Sequence, residues 1–191
     1  MSPFQPKKET KILPKKSSSN IGIKSHRHKI YIGTDHAGFE LKQELLPFIM
    51  GLGYEVVDCG AYKNEEGDDY PDFIEPVAKA VALNPEHNLG IILGGSGQGE
   101  AIVANRFPNV RAIVFYGDPG MFPKYDIIKL GRYHNDSNVL SLGARFLKVK
   151  DAKVAVKSWL ETNFSNGERH KRRIKKIERV SREIKNNFDF K

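Results

Sequence analysis

The sequence contains a single cysteine, Cys59, among 191 residues. One cysteine excludes an internal disulfide framework and the metal sites that need paired cysteines, and it is typical of a cytoplasmic protein. No apolar run approaches the length of a membrane-spanning helix. Because 39% of the residues are hydrophobic, the chain can form one well-buried domain. We therefore expect a soluble, cytoplasmic protein that has no contact with a membrane.

The middle of the chain lacks net positive charge, which is concentrated at the two ends: residues 29–166 carry fourteen Lys or Arg against eighteen acidic residues. Residues 1–28 carry seven Lys or Arg against one Glu, and residues 167–191 carry ten against four acidic residues. No aromatic residue is interleaved with the lysines of the first segment, which argues against a nucleic-acid module. We predict a disordered basic extension over 1–28, a folded domain over 29–187 and a tail over 188–191. Polyanion binding by the basic ends is a distant alternative.

From residue 29 onwards, short runs rich in β-forming residues alternate with amphipathic stretches. The predicted strands are Lys29–Gly33, Tyr54–Asp58, Leu89–Leu93, Arg111–Phe115 and Asn138–Leu142. The predicted helices cover 39–52, 71–84, 99–107, 121–132 and 150–163. Five such alternations predict an α/β fold, a Rossmann-like three-layer sandwich with a five-stranded parallel sheet. Pro47 should kink or divide the first helix.

A glycine-rich turn, Gly94-Gly-Ser-Gly-Gln-Gly-Glu100, lies between the third predicted strand and a helix. Such a turn leaves backbone N–H groups free to bind an anion. A dinucleotide-binding loop is disfavoured because Glu100 occupies the position of the third glycine, and no Gly-Lys-Ser/Thr sequence marks a nucleotide P-loop. Glu100 could act as a general base beside these donors, or it could simply complement the helix dipole.

The last segment, 168 to about 187, has the clearest helical pattern. Arg169 and Arg173 lie on one stripe with Ile177, Val180 and Ile184, so we expect both arginines to point the way the core-facing residues point. Two guanidinium groups one turn apart could clamp a phosphate. The alternative is that they pair with carboxylates at a subunit interface.

Six motifs, taken together and in this order, resemble ribose-5-phosphate isomerase type B, a family that also includes the galactose-6-phosphate isomerase subunits. They are Gly33–Gly38, Gly94–Glu100, Ala104–Arg106, His134–Asn138, Gly143–Arg145 and Arg169–Arg173, and the resemblance covers roughly residues 29–185. It implies interconversion of aldose and ketose phosphates through an enediolate, without metal or cofactor. It also implies a homodimer or dimer of dimers, with the C-terminal helix reaching across the interface. A six-carbon sugar phosphate is the alternative substrate.

The family has one form with a cysteine base just before the glycine loop and another with a glutamate base at its end. Position 94 is glycine here, so the resemblance implies that Glu100 is the base. His134 would open the sugar ring, and Ser96 would assist proton transfer between the two oxygens. The implied substrate-binding residues are Asp35, His36, Gly95, Gly97, Gln98, Gly99, Asn135, Arg145, Arg169 and Arg173. The stretch 116–132 looks longer than usual in the family, which bears on the sugar preferred.

Overall fold

The computed structural model of the protein describes residues 11–12, 28–117 and 126–187. Its strands are β1 (Lys11–Ile12), β2 (Lys29–Thr34), β3 (Glu55–Asp58), β4 (Asn88–Gly94), β5 (Ala112–Phe115) and β6 (Val139–Gly143). Its α-helices are α1 (Phe39–Gly51), α2 (Pro71–Leu83), α3 (Gln98–Ala104), α4 (Ile127–Asn135), α5 (Val149–Glu161) and α6 (Glu168–Asn187). A single 3-10 turn, His36–Gly38, precedes α1.

The strands form one sheet in the order β1-β3-β2-β4-β6-β5. The five strands from β2 to β6 are parallel, which confirms the predicted fold, whereas β1 pairs antiparallel with β3 at the edge. The sequence did not predict β1, because two residues are too few to show an alternating pattern. The remainder of the predicted extension, 1–10 and 13–27, and the predicted tail 188–191 lie outside the described residues.

Helices cover both faces of the sheet. α1, α4 and α5 pack on one side, and α2 and α3 pack on the other. In β4, Leu89 and Ile91 belong to the first core and Ile92 belongs to the second. A strand that is buried on both faces needs apolar residues at successive positions, which explains the run Leu89–Leu93. No helix among the described residues is long and apolar enough to cross a membrane.

The helices that follow two neighbouring strands leave the sheet in opposite directions. α1 follows β2 onto one face, whereas α3 follows β4 onto the other, and β2 and β4 are hydrogen-bonded neighbours. In open α/β sheets such a divergence forms a crevice at the carboxyl ends of the two strands, and ligands bind there. The crevice is bordered by Thr34–Gly38 and by the glycine loop.

The helices differ from the sequence prediction most clearly in α1, which is not divided, in α3, which ends at Ala104 instead of 107, and in α4, which is displaced towards the C-terminus. α1 runs undivided through Pro47, which is exposed, while Leu45 and Ile49 on its inner side are fully buried. α4 begins at Ile127 instead of 121, and the residues 118–125 before it lie outside the described chain. Asp126 caps α4, because its side chain accepts a hydrogen bond from the backbone N–H of Lys129 at 3.1 Å.

The expectation that the apolar stripe of α6 faces the core of its own chain is wrong. Ile177 and Val180 are 52% and 49% exposed. The helix contacts α4 instead through another side, where His170 is buried and Ile174 is half-buried. The periodicity identified the stripe correctly but could not show what it packs against. Arg169 and Arg173 are exposed as well.

Candidate active site

The glycine loop is fixed to the end of β6 by backbone hydrogen bonds. The carbonyls of Gly94 and Gly95 accept from the N–H groups of Ala144 and Arg145 at 2.8 and 3.1 Å. Gly97 has φ +77°, and the Ser141 hydroxyl donates to its carbonyl at 2.6 Å. A Cβ atom at Gly97 would lie 3.0 Å from that hydroxyl oxygen. Both the backbone angle and the close packing therefore require glycine at this position.

The Glu100 carboxylate lies in the space beside Gly94. A Cβ atom built on Gly94 would overlap the Glu100 carboxylate, so this carboxylate occupies the position that a side chain at 94 would fill. The Glu100 residue is only 4% exposed. Burial raises the pKa of Glu100 above its ordinary value, and the negative charge of Asp35 raises it further, whereas a bond from its own backbone N–H lowers it. A carboxyl whose pKa is moved towards neutrality can exchange a proton near neutral pH.

Asp35 and His36 border the crevice from the end of β2. The Asp35 carboxylate accepts from the N–H of Ala37 at 3.0 Å, and burial raises the pKa of Asp35. His36 Nδ1 lies 2.6 Å from Asp68 Oδ1, which also accepts from the backbone N–H of His36 at 3.1 Å. The hydrogen bond to Asp68 raises the pKa of His36. His36 is therefore held in one orientation, with cationic character favoured.

Arg145 brings a guanidinium group to the same place. A Cβ atom built on Gly95 would lie 3.2 Å from Arg145 Cζ, so the guanidinium lies against the glycine loop. Its charge also reaches His36 and opposes protonation of the imidazole. We call Asp35, His36, Glu100 and Arg145, together with the loop Gly95–Gly99, the sheet-edge cluster. It combines a buried carboxyl, backbone donors and positive charge in one crevice.

Two members of this region were missed by the sequence reasoning. Asp68 binds His36, as described, and the Tyr70 ring lies over Gly99, where an added Cβ would be 2.9 Å from the phenolic oxygen. Both residues belong to the acidic stretch that leads into α2. The sequence offered one indication, namely that this acidic stretch follows the second predicted strand. The connection is long, so the sequence does not show which of the residues in it lie near the sheet.

Three of these groups could also bind a cation. Asp35, His36 and Asp68 each offer one ligand atom, and these atoms lie within 4.8 Å of one another. The His36 Nδ1 to Asp68 Oδ1 hydrogen bond already uses one atom of each residue. A cation bound through those two atoms would have to replace that bond.

The remaining predicted residues form a second group at the junction of α4 and α6. The ring centroids of His134 and His170 lie 4.6 Å apart. Arg169 Nε donates to His170 Nε2 at 3.0 Å, and the charges of Arg169 and Arg173 act on His170. We call His134, Arg169, His170 and Arg173 the helix-end cluster. Asn135, the last residue of α4, is exposed beside it.

The structure thus divides the predicted site into two parts. Among the described residues, no hydrogen bond, ion pair or ring contact joins the sheet-edge cluster to the helix-end cluster. Glu100 and Arg145 belong to the first, and His134 and Arg173 belong to the second. The described residues of one chain therefore show no direct contact between the two groups, and a site that uses both is part of the proposed function.

The fold and the crevice define a class of protein. It is an α/β protein with a glycine loop and a buried carboxyl at the switch point of a parallel sheet. Residues 30–177 match the Ribose/Galactose Isomerase family, and this chain belongs to that family.

Curated relatives and solved structures agree with this assignment. Ribose-5-phosphate isomerase B of Escherichia coli is 40% identical over 149 residues, which cover 78% of this chain and 93% of that protein. The protein of the same name from Mycolicibacterium paratuberculosis is 37% identical over 146 residues, covering 76% and 87%. Ribose-5-phosphate isomerase B from Mycoplasma genitalium with bound ribulose-5-phosphate superposes with a TM-score of 0.75 at 35% identity, covering 82% of this chain and 97% of that one.

Proposed function

We propose that this protein interconverts ribose 5-phosphate and ribulose 5-phosphate through an enediolate intermediate. The observation that carries the proposal is the Glu100 carboxylate, which is buried beside Gly94 at the mouth of the glycine loop. The family has a cysteine base at position 94 or a glutamate base at position 100. In this chain the Glu100 carboxylate fills the space that a side chain at position 94 would occupy. A cysteine at 94 and a glutamate at 100 would therefore place a base in the same position.

Proton transfer follows from this position. Glu100 removes the proton from C2 of the open-chain aldose. The electron pair of that C–H bond forms the C1–C2 double bond, and the π pair of the C1 carbonyl moves onto O1 to give the enediolate. The same carboxyl then delivers the proton to C1, while Ser96 assists the transfer of a proton between O1 and O2. The N–H groups of Gly95, Gly97, Gln98 and Gly99, with the Asn135 amide, hold the enediolate oxygens. This step requires no metal ion and no cofactor.

Substrate binding uses the charges on both clusters. Arg169 and Arg173 of a second subunit hold the phosphate, and His36 and Arg145 contribute. Asp35 contacts the sugar hydroxyls. His134 opens the furanose ring by moving a proton at the ring oxygen, a general acid-base role that histidine commonly performs. Since His134 packs against His170, we infer that it enters the pocket together with the two arginines.

A homodimer, alone or as half of a dimer of dimers, completes this pocket. The exposed apolar stripe of α6, with Ile177 and Val180, offers a surface that a second copy would cover. A helix of 20 residues is about 30 Å long, enough to carry Arg173 to a neighbouring subunit. We place this dimer in the cytoplasm, as expected from the single buried cysteine, Cys59.

The substrate assignment is tested with purified protein, a chelator, and either ribose 5-phosphate or a panel of hexose 6-phosphates. We expect turnover of the pentose phosphate to exceed turnover of every hexose phosphate. Preference for galactose 6-phosphate or allose 6-phosphate would identify a six-carbon isomerase. Loss of activity with the chelator would contradict the metal-free mechanism.

The base is tested with Glu100→Gln, which keeps the shape of the side chain and removes its basicity. We expect kcat to fall by about a hundredfold to ten-thousandfold, with little change in KM. If the variant keeps more than about a tenth of the wild-type turnover, the base lies elsewhere.

A further inference from the structure

His170 lies at the start of α6 between two residues of the proposed phosphate and ring-opening machinery. It is 7% exposed, although both neighbours along the chain are far more open to solvent. Its Nε2 atom accepts from Arg169 Nε at 3.0 Å, and its Nδ1 atom lies 2.6 Å from the Ser165 hydroxyl oxygen. Its ring contacts the ring of His134. No role was assigned to His170 from the sequence.

The bond from Arg169 determines where the His170 proton lies. Arginine can only donate, so Nε2 must be the acceptor and carries no proton. A neutral imidazole then carries its proton on Nδ1, where it donates to the Ser165 hydroxyl. Protonation of Nε2 would turn the acceptor into a donor and break the bond to Arg169.

Ser165 holds this tautomer in a fixed place. Its backbone N–H donates to the carbonyl of Tyr133, the residue before His134, at 3.0 Å. Its hydroxyl also accepts from the backbone N–H of Gly167 at 3.3 Å, directly before α6. Ser165 therefore links the end of α4 to the beginning of α6 by hydrogen bonds, and His170 is hydrogen-bonded to this linking residue.

We propose that His170, neutral and protonated on Nδ1, is a positioning residue that fixes the Arg169 guanidinium for the substrate phosphate and supports the His134 ring. This inference rests on the proposed function, because it assumes that Arg169 binds the phosphate of a sugar. His170 acts through Arg169 and His134 and does not itself touch the reacting atoms.

The charges around His170 support the neutral form. His134 faces it from α4, and Arg169 and Arg173 face it from its own helix. Burial lowers the pKa of His170, and these three groups lower it further. The group that orients Arg169 is thereby kept free of charge, and it remains an acceptor at neutral pH.

Two substitutions separate positioning from packing. His170→Phe keeps an aromatic ring against His134 but removes the acceptor, and we expect KM for ribose 5-phosphate to rise on the order of tenfold with kcat nearly unchanged. His170→Gln places an amide oxygen close to the former Nε2 position, and we expect KM within about threefold of wild type. His87→Phe, at an exposed histidine, is the matched control and should leave both constants unchanged.

The opposite pattern overturns the proposal. If His170→Phe leaves KM unchanged, Arg169 needs no positioning by the imidazole. If His170→Gln and His170→Phe lose activity and thermal stability to the same extent, His170 serves packing alone.

The tautomer is tested on the wild-type protein by nitrogen NMR of the histidine rings. We expect the ring of His170 at pH 7 to show a protonated Nδ1 and an unprotonated Nε2. A protonated Nε2 would overturn the proposal whatever the enzyme catalyses. Conversely, a wild-type protein that shows this tautomer but does not turn over ribose 5-phosphate would contradict the proposed function and leave the Arg169 to His170 geometry intact.

Discussion

Glu100 combines two properties that oppose each other in a folded protein. Burial disfavours its charge and so costs stability, yet the charged form is the one that accepts a proton. The carboxylate tolerates this position because its own backbone N–H stabilises the charge. Residues that carry out proton transfer often show such a conflict, since their pKa has to lie near the working pH.

The raised pKa predicts both a pH profile and a stability change. The value of kcat should fall as pH drops through the pKa of Glu100, at a pH above the ordinary value of 4.5.

Because the folded state holds this proton more tightly than the unfolded state, stability is lost as pH rises from the ordinary pKa through the raised one. Glu100→Gln removes this cost, so calorimetry at pH 7 should give a Tm at least equal to that of wild type. A Tm several degrees lower would refute the burial cost.

We predict that activity requires glycine at position 94, because the Glu100 carboxylate occupies the space beside it. Gly94→Ala should displace the Glu100 carboxylate and lower kcat by about a hundredfold, as expected for a misplacement on the order of 1 Å. Gly51→Ala is the matched control, since an added Cβ there meets nothing within 4 Å. Steady-state kinetics on both variants decide the point. Equal kcat values for the two would show that the carboxylate is not confined to this space.

At the scale of elements, the sequence predicted the sheet better than it predicted the packing of α6. The five parallel strands have strong apolar runs, and their positions were predicted to within two residues. The start of α4 was predicted wrongly, because the Asp126 side chain, and not the apolar periodicity, determines where this helix begins. The glycine loop and Glu100 were predicted as a site from spacing alone, whereas Asp68 was not, because its contact with His36 spans 32 positions.

The exposed stripe of α6 leads to a prediction about assembly. Val180→Asp should weaken the proposed dimer and lower activity in parallel, because a charge would be buried at the proposed interface. Val154→Asp on α5 is the matched control, since Val154 is 62% exposed and lies on another helix. Analytical ultracentrifugation and an activity assay over a range of concentrations measure both effects. Dissociation by Val154→Asp with no effect of Val180→Asp would place the interface elsewhere.

At the scale of the whole molecule, the central claim is that one pocket needs two chains. In the proposed mechanism the sheet-edge cluster supplies the base and the helix-end cluster supplies the phosphate clamp, and no direct contact joins the two clusters among the described residues of one chain. A sequence alone could identify both groups of residues. Residue patterns by themselves could not assign them to one subunit or to two, because that depends on where α6 lies; only the family resemblance implied two subunits.

Mixing two inactive variants tests this claim most directly. Glu100→Gln and Arg173→Ala should each be nearly inactive as homodimers. When they are unfolded and refolded together at equal amounts, random pairing makes about half of the dimers mixed. In each mixed dimer one pocket collects both defects and the other collects none, so about a quarter of the wild-type activity should return. If mixed dimers form and no activity returns, Glu100 and Arg173 serve the pocket of the same chain, and the shared site is refuted.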